Sequence, residues 1–97
     1  MQVGLCRVTL RMPESGSLKE KRRITKSLVE RLRSRFNVAV AEVDDNDAWK
    51  IATLGVVCVS NEAGHANETI SKVAAYMEAA RGDWHVVDVH TEIIPGL

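Results

Sequence analysis

The sequence predicts an α+β sandwich in the order βαββαβ, with four antiparallel strands carrying two helices on one face. Three observations carry that prediction. Apolar and polar residues alternate near both ends of the chain, and two internal segments repeat apolar residues at helical spacing behind a capping residue. Between them, an acid-rich turn joins two strand-like runs into a hairpin.

Met1 to Met12 is rich in aliphatic residues and puts Cys6, Val8 and Leu10 on one face, with Arg7, Thr9 and Arg11 on the other. Pro13-Glu14-Ser15-Gly16 ends that strand. Ser17 followed by Glu20 is a capping box that opens a helix, whose buried stripe is Ile24, Leu28 and Leu32. Phe36 to Val43 reads as a second strand, 44–47 as a turn and Ile51 to Ser60 as a third strand. The apolar run from Leu54 to Val59 predicts a central strand buried on both faces. Asn61 is suited to cap a second helix with Ala66, Ile70, Val73 and Met77 inside, and Gly82 to close it in a left-handed conformation. Glu68 and Lys72 are spaced as an exposed supporting pair. Trp84 to Ile94 alternates again, with Val87, Val89 and Ile93 opposite Asp88, His90 and Glu92. The order is that of a split βαβ, ferredoxin-like sandwich in which strands one and three are central.

A chain of 97 residues fits one domain, 1–97, that buries roughly 60–70% of its unfolded surface. Only four residues are aromatic, so aliphatic side chains must supply the core. No apolar run approaches the roughly 20 residues of a membrane span, and the start shows no basic segment followed by an apolar one. The expectation is a cytoplasmic protein with no signal peptide and no membrane contact. Cys6 and Cys58 lack the spacing of a disulfide framework or redox motif and share faces with Val8, Leu10, Leu54 and Val56, as core residues would. They and the three histidines do not form a zinc pattern, so neither metal nor cofactor is expected.

The chain is formally neutral, with 13 basic and 13 acidic residues, yet its charges are segregated. Residues 19–35 hold eight basic and two acidic side chains, a net +6 that the rest of the chain balances. With helical positions 100° apart, Lys19, Arg22, Arg23, Lys26 and Arg33 lie on the outward face, while Lys21, Arg31 and Arg35 fall nearer the buried side. Cations so spaced can follow RNA phosphates without reading bases, so no DNA sequence specificity is expected. The bland alternative is a solvated face. At the entry to the helix, Ser15, Gly16 and Ser17 offer amides that suit an anion, against which stands an ordinary capped turn.

Ser17-Leu18-Lys19-Glu20-Lys21-Arg22-Arg23, the run Arg35 to Val43, Trp49, and Thr53-Leu54-Gly55-Val56 continuing to Val59-Ser60-Asn61 together resemble the YlxP-like family of small bacterial proteins. The resemblance covers nearly the whole chain. It implies a ferredoxin-like fold and a place near the ribosome, since such proteins often sit in gene clusters with translation initiation and ribosome-maturation factors. It supplies no catalytic residue. Structured ribosomal RNA or the small ribosomal subunit is therefore the expected partner of the basic helix, and the acidic tip 44–47 argues against nucleic-acid contact there.

Two alternatives come from other classes. Strands one and three lack the aromatic platforms on which many ferredoxin-like domains stack RNA bases, so the open sheet face or an edge would suit a homodimer, with the basic helix meeting an acidic protein. Acylphosphatases share the length and element order, but the loop after strand one lacks an arginine and strand three lacks an asparagine, so a non-enzymatic protein is expected. Trp49 and Trp84 are expected to pack on their own domain. Asp44, Asp45 and Asp47 are expected to form a solvated turn rather than a divalent-cation loop.

Overall fold

A computed structural model of the protein describes residues 1–44 and 47–97. Its elements are β1 (Gln2–Arg11), α1 (Leu18–Arg35), β2 (Ala39–Val43), β3 (Ile51–Ser60), α2 (Ala63–Ala79) and β4 (His85–Ile94). The sheet order is β2-β3-β1-β4 and all pairings are antiparallel. This is the ferredoxin-like arrangement, with β1 and β3 central. Among the described residues, no helix is long and apolar enough to cross a membrane.

Strand parity sorts the sheet into two faces. Cys6, Val8 and Leu10 of β1 and Ala52, Leu54, Val56 and Cys58 of β3 are buried beneath the helices. Ile24, Leu28 and Leu32 of α1 and Ala66, Ile70, Val73 and Met77 of α2 close over them. Each row of a helix stripe is filled by an aliphatic chain, so apolar burial at about 25 cal/mol per Å² drives the assembly. Gly4 lets α2 approach β1 closely. A Cβ there would lie 2.6 Å from Ile70 Cγ1 and 3.1 Å from the Ala66 carbonyl oxygen.

The α1 cap forms reciprocally, with the return bond going to the residue before Ser17. Ser17 Oγ accepts from the Glu20 amide at 3.1 Å, and the Gly16 amide donates to Glu20 Oε2 at 2.8 Å. At the other end, the Phe36 amide donates to the Leu32 carbonyl and the chain turns extended. Phe36 therefore precedes β2 rather than opening it, and meets the Tyr76 ring edge-on at 5.9 Å.

Several expectations from the sequence need correction. The cap position of α2 is Glu62, which makes no side-chain capping bond, so Asn61 lies one residue too early. Gly82 is not a left-handed cap. α2 ends earlier, at Ala79, and Gly82 is small because the Trp84 ring occupies the space of a Cβ. A bulge opposite Thr9 and Leu10 adds a residue to β4. Val86 consequently joins Val89 and Ile93 against the core, while Val87 is left 56% exposed. β3 is covered on one face only, and Val59 is 64% exposed. Trp49, expected to pack on its own domain, is instead 54% exposed. Trp84, by contrast, is buried, as are both cysteines. Of the acidic turn, Asp44 and Asp47 are exposed, and Asp45 lies outside the described residues.

Candidate functional site

The eight cations of α1 divide into two groups of four. One group is consumed by the fold. Lys21 is 1% exposed and its Nζ lies 2.9 Å from Glu42 Oε2, tying α1 to β2. Glu42 reaches it because it shares the helix-side parity of Val40, which is buried. The Arg31 guanidinium lies 5.1 Å from the centroid of the Trp84 ring, and that of Arg35 lies 4.7 Å from the Tyr76 ring. Both are cation–π contacts that join the end of α1 to α2 and its following turn. Arg33 Nη2 donates to the Val40 carbonyl at 3.0 Å.

That last contact changes the meaning of Arg33. The helical wheel puts it outward with Lys19 and Lys26, and it remains exposed. Its head, however, is drawn sideways to the carbonyl of the short strand β2, where it blunts a sheet edge that would otherwise offer free acceptors.

The second group is Lys19, Arg22, Arg23 and Lys26. All four are exposed, and none has an ion-pair partner among the described residues. Their spacing of i, i+3, i+4 and i+7 places them on one face over about 10 Å of helix. Ser17 and Glu20 border the same shallow surface. Glu20 is turned toward Gly16 by the capping box, so its charge is spent at the helix entry. The result is a compact cationic patch on the first half of α1.

The amides and hydroxyls named as an anion site are otherwise engaged. The Gly16 amide and Ser17 Oγ belong to the capping box, and the buried Ser15 hydroxyl donates to the Ser17 carbonyl at 3.1 Å. Glu20 thus occupies the position a phosphate would need. Lys50 Nζ also reaches the Pro13 carbonyl and holds the loop against the β3 entry.

The chain's two thiols are poor nucleophiles. Burial, helped by the Glu78 carboxylate, pushes the Cys6 pKa up to about 11. Cys58 Sγ donates to the Ala66 carbonyl at 3.7 Å and is likewise buried.

The family described as "Protein of unknown function (DUF503)" matches residues 3–91, nearly the entire fold. The chain belongs to this DUF503 family. The "Uncharacterized protein YlxP" of Bacillus subtilis (strain 168) is 30% identical over 66 residues, which cover 68% of this chain and 72% of that protein. Membership of DUF503 brings no reaction and no ligand with it, so function must be argued from the side chains. Sequence reasoning located the patch but not its limits. It missed the Lys21 to Glu42 pair, for which the signal was Glu42's shared parity with Val40.

Proposed function

We propose that this protein is a non-enzymatic, cytoplasmic binding module that docks the first half of α1 on the phosphates of structured RNA, with a ribosomal particle as the expected setting. One observation carries the reading. Lys19, Arg22, Arg23 and Lys26 are exposed on one helix face without intramolecular ion pairs, while the other four cations of α1 each have a structural contact. A helix face that needed charge only for solubility would gain support from acids four residues away. Here Glu20 is committed to the cap, and Glu30, four residues from Lys26, forms no ion pair with it among the described residues.

Phosphate contact by four side chains releases counterions, so log K should fall with log salt with a slope of about −3. The direct test is cosedimentation of the protein with small ribosomal subunits at low and moderate salt. Saturable binding with that slope is expected, abolished by Lys19→Glu, Arg22→Glu and Lys26→Glu together. Arg31→Gln, which alters a cation that sits on Trp84, should leave binding nearly intact. Binding that ignores salt, or survives the triple substitution, would overturn the proposal.

A further inference from the structure

The helices cover one face of the sheet and leave the other bare, and the bare face is unlike an ordinary solvated surface. Its rows follow from the strand register. Ala39, Val57 and Leu5 run across β2, β3 and β1 in one row, and Ala41, Gly55 and Arg7 in the next. Val43 and Ile51 border them toward the hairpin, and Val59 and Val3 at the opposite end. β2 and β3 thus contribute only Ala, Gly, Val, Ile and Thr here, and four of the large apolar side chains, Val43, Ile51, Val59 and Val87, stay exposed. The small residues Ala39, Ala41 and Gly55 form the floor of an open hollow of about 390 Å³.

The other half of the same face is charged and balanced. β1 contributes Arg7 and Arg11, and β4 contributes Asp88 and Glu92 in the adjoining rows. None of these four forms an ion pair within the chain among the described residues. Two unspent cations beside two unspent carboxylates cancel in formal charge, so this half of the face presents no net repulsion to a copy of itself.

We infer that the bare sheet face is the interface of a homodimer, in which two sheets stack face to face about a twofold axis. A half-turn across the strands lays β3 and β2 of one copy on β3 and β2 of the other. The exposed valines and Ile51 are then covered, with larger side chains available to enter the hollow over Gly55. Beside this apolar half, β1 lies over β1 and β4 over β4, and the long arginine side chains of each copy reach diagonally toward the other's Asp88 and Glu92. Such an isologous contact needs a patch that can meet itself, and the apolar rows of β2 and β3 supply one.

The area suffices. Three strands of ten residues and β2 of five, about 4.8 Å apart with about 3.3 Å per residue, present a face of on the order of 500–600 Å². Two such faces bury roughly 1,000–1,200 Å², the lower bound of a specific interface. Stacking would place both α1 patches on the outer sides of the dimer, so dimerisation and polyanion docking do not compete for a surface.

Sedimentation-velocity and light-scattering measurements from low to about 0.5 mM protein test this, a range that captures even weak association. The expected mass is twice the 10.7 kDa chain. Val57→Glu, and independently Ile51→Lys, should weaken dimerisation by roughly a hundred-fold, since each buries an unpaired charge in the interface. Both sites are at least partly open in the monomer, and circular dichroism checks that each variant folds. The triple α1 substitution should leave the dimer unchanged, which separates this proposal from RNA docking. A wild-type monomer throughout the range, or a dimer that tolerates both face variants, would overturn it.

Discussion

Lys21 is the residue whose role differs most between sequence and structure. A lysine in a basic run is ordinarily solvated, and its removal from water costs several kcal/mol unless a partner offsets the loss. Here its long stem runs inward beside Ile24 and Thr25, both buried, and its ammonium meets Glu42. Glu42→Ala should therefore destabilise the protein by about 2–3 kcal/mol in urea unfolding, somewhat below the usual cost of breaking a buried pair because Glu42 itself keeps 21% exposure. Lys21→Met with Glu42→Leu should recover most of that loss, since no charge is then left alone. Cys6 makes a second prediction at this scale. Its thiol is held neutral in the fold, with the pKa raised from an ordinary 9.0 to about 11. The stabilisation is complete below pH 9 and is lost as pH climbs toward 11, by about 2–3 kcal/mol for two pK units. Denaturation midpoints between pH 8 and 11 should show this decline in the wild type, and Cys6→Ala should remove that share of the slope.

At the scale of elements, contacts between helix and sheet matter more than helix propensity. α1 has strong intrinsic signals, with its capping box at one end and Arg33 and Arg35 near the negative end of its dipole. α2 has no side-chain cap at its start and no acid in its first turn or base in its last, although Arg81 just beyond its end donates to the Glu78, Ala79 and Ala80 carbonyls. Its position depends instead on the stripe Ala66 to Met77 and on the absence of a side chain at Gly4. Gly4→Ala should push α2 away from β1 and cost about 1–3 kcal/mol, because the new methyl meets Ile70, Cys58 and the α2 backbone together. A thermal-unfolding curve identical to wild type would mean that α2 can shift freely, contrary to that packing. The cation–π contacts of Arg31 and Arg35 fasten the far end of α1 to Trp84 and Tyr76, which leaves the first half of the helix as its free surface.

Across the whole molecule, charge and apolarity are separated by the sandwich itself. The basic patch lies on the outer side of a helix, and the helices lie on one side of the sheet. The exposed valines lie on the other side. This is why one chain of modest size can offer two surfaces that do not interfere, and why the salt-dependent docking assay and the mass measurement can be altered by different substitutions. The molecule is elongated, with extents of 42 × 23 × 21 Å, so the bare face runs along its length.

Much of this was legible in the sequence because it depends on local periodicity. The period-two runs at Cys6, Val8 and Leu10 and the period near 3.6 at Ile24, Leu28 and Leu32 determine which side of each element is apolar, whatever it packs against. With six such elements in βαββαβ order, chain connectivity leaves the ferredoxin-like sheet as the expected solution. Local chemistry likewise set the Ser17 and Glu20 cap. What remained required contacts between residues distant in the chain. Lys21 meets Glu42 only once α1 lies over β2, Arg33 finds the Val40 carbonyl only at a sheet edge, and Val87 turns outward only because β4 bulges against β1. Periodicity can say which face of an element seeks cover. Only the tertiary structure decides which cations are spent in providing it and which apolar face is left bare.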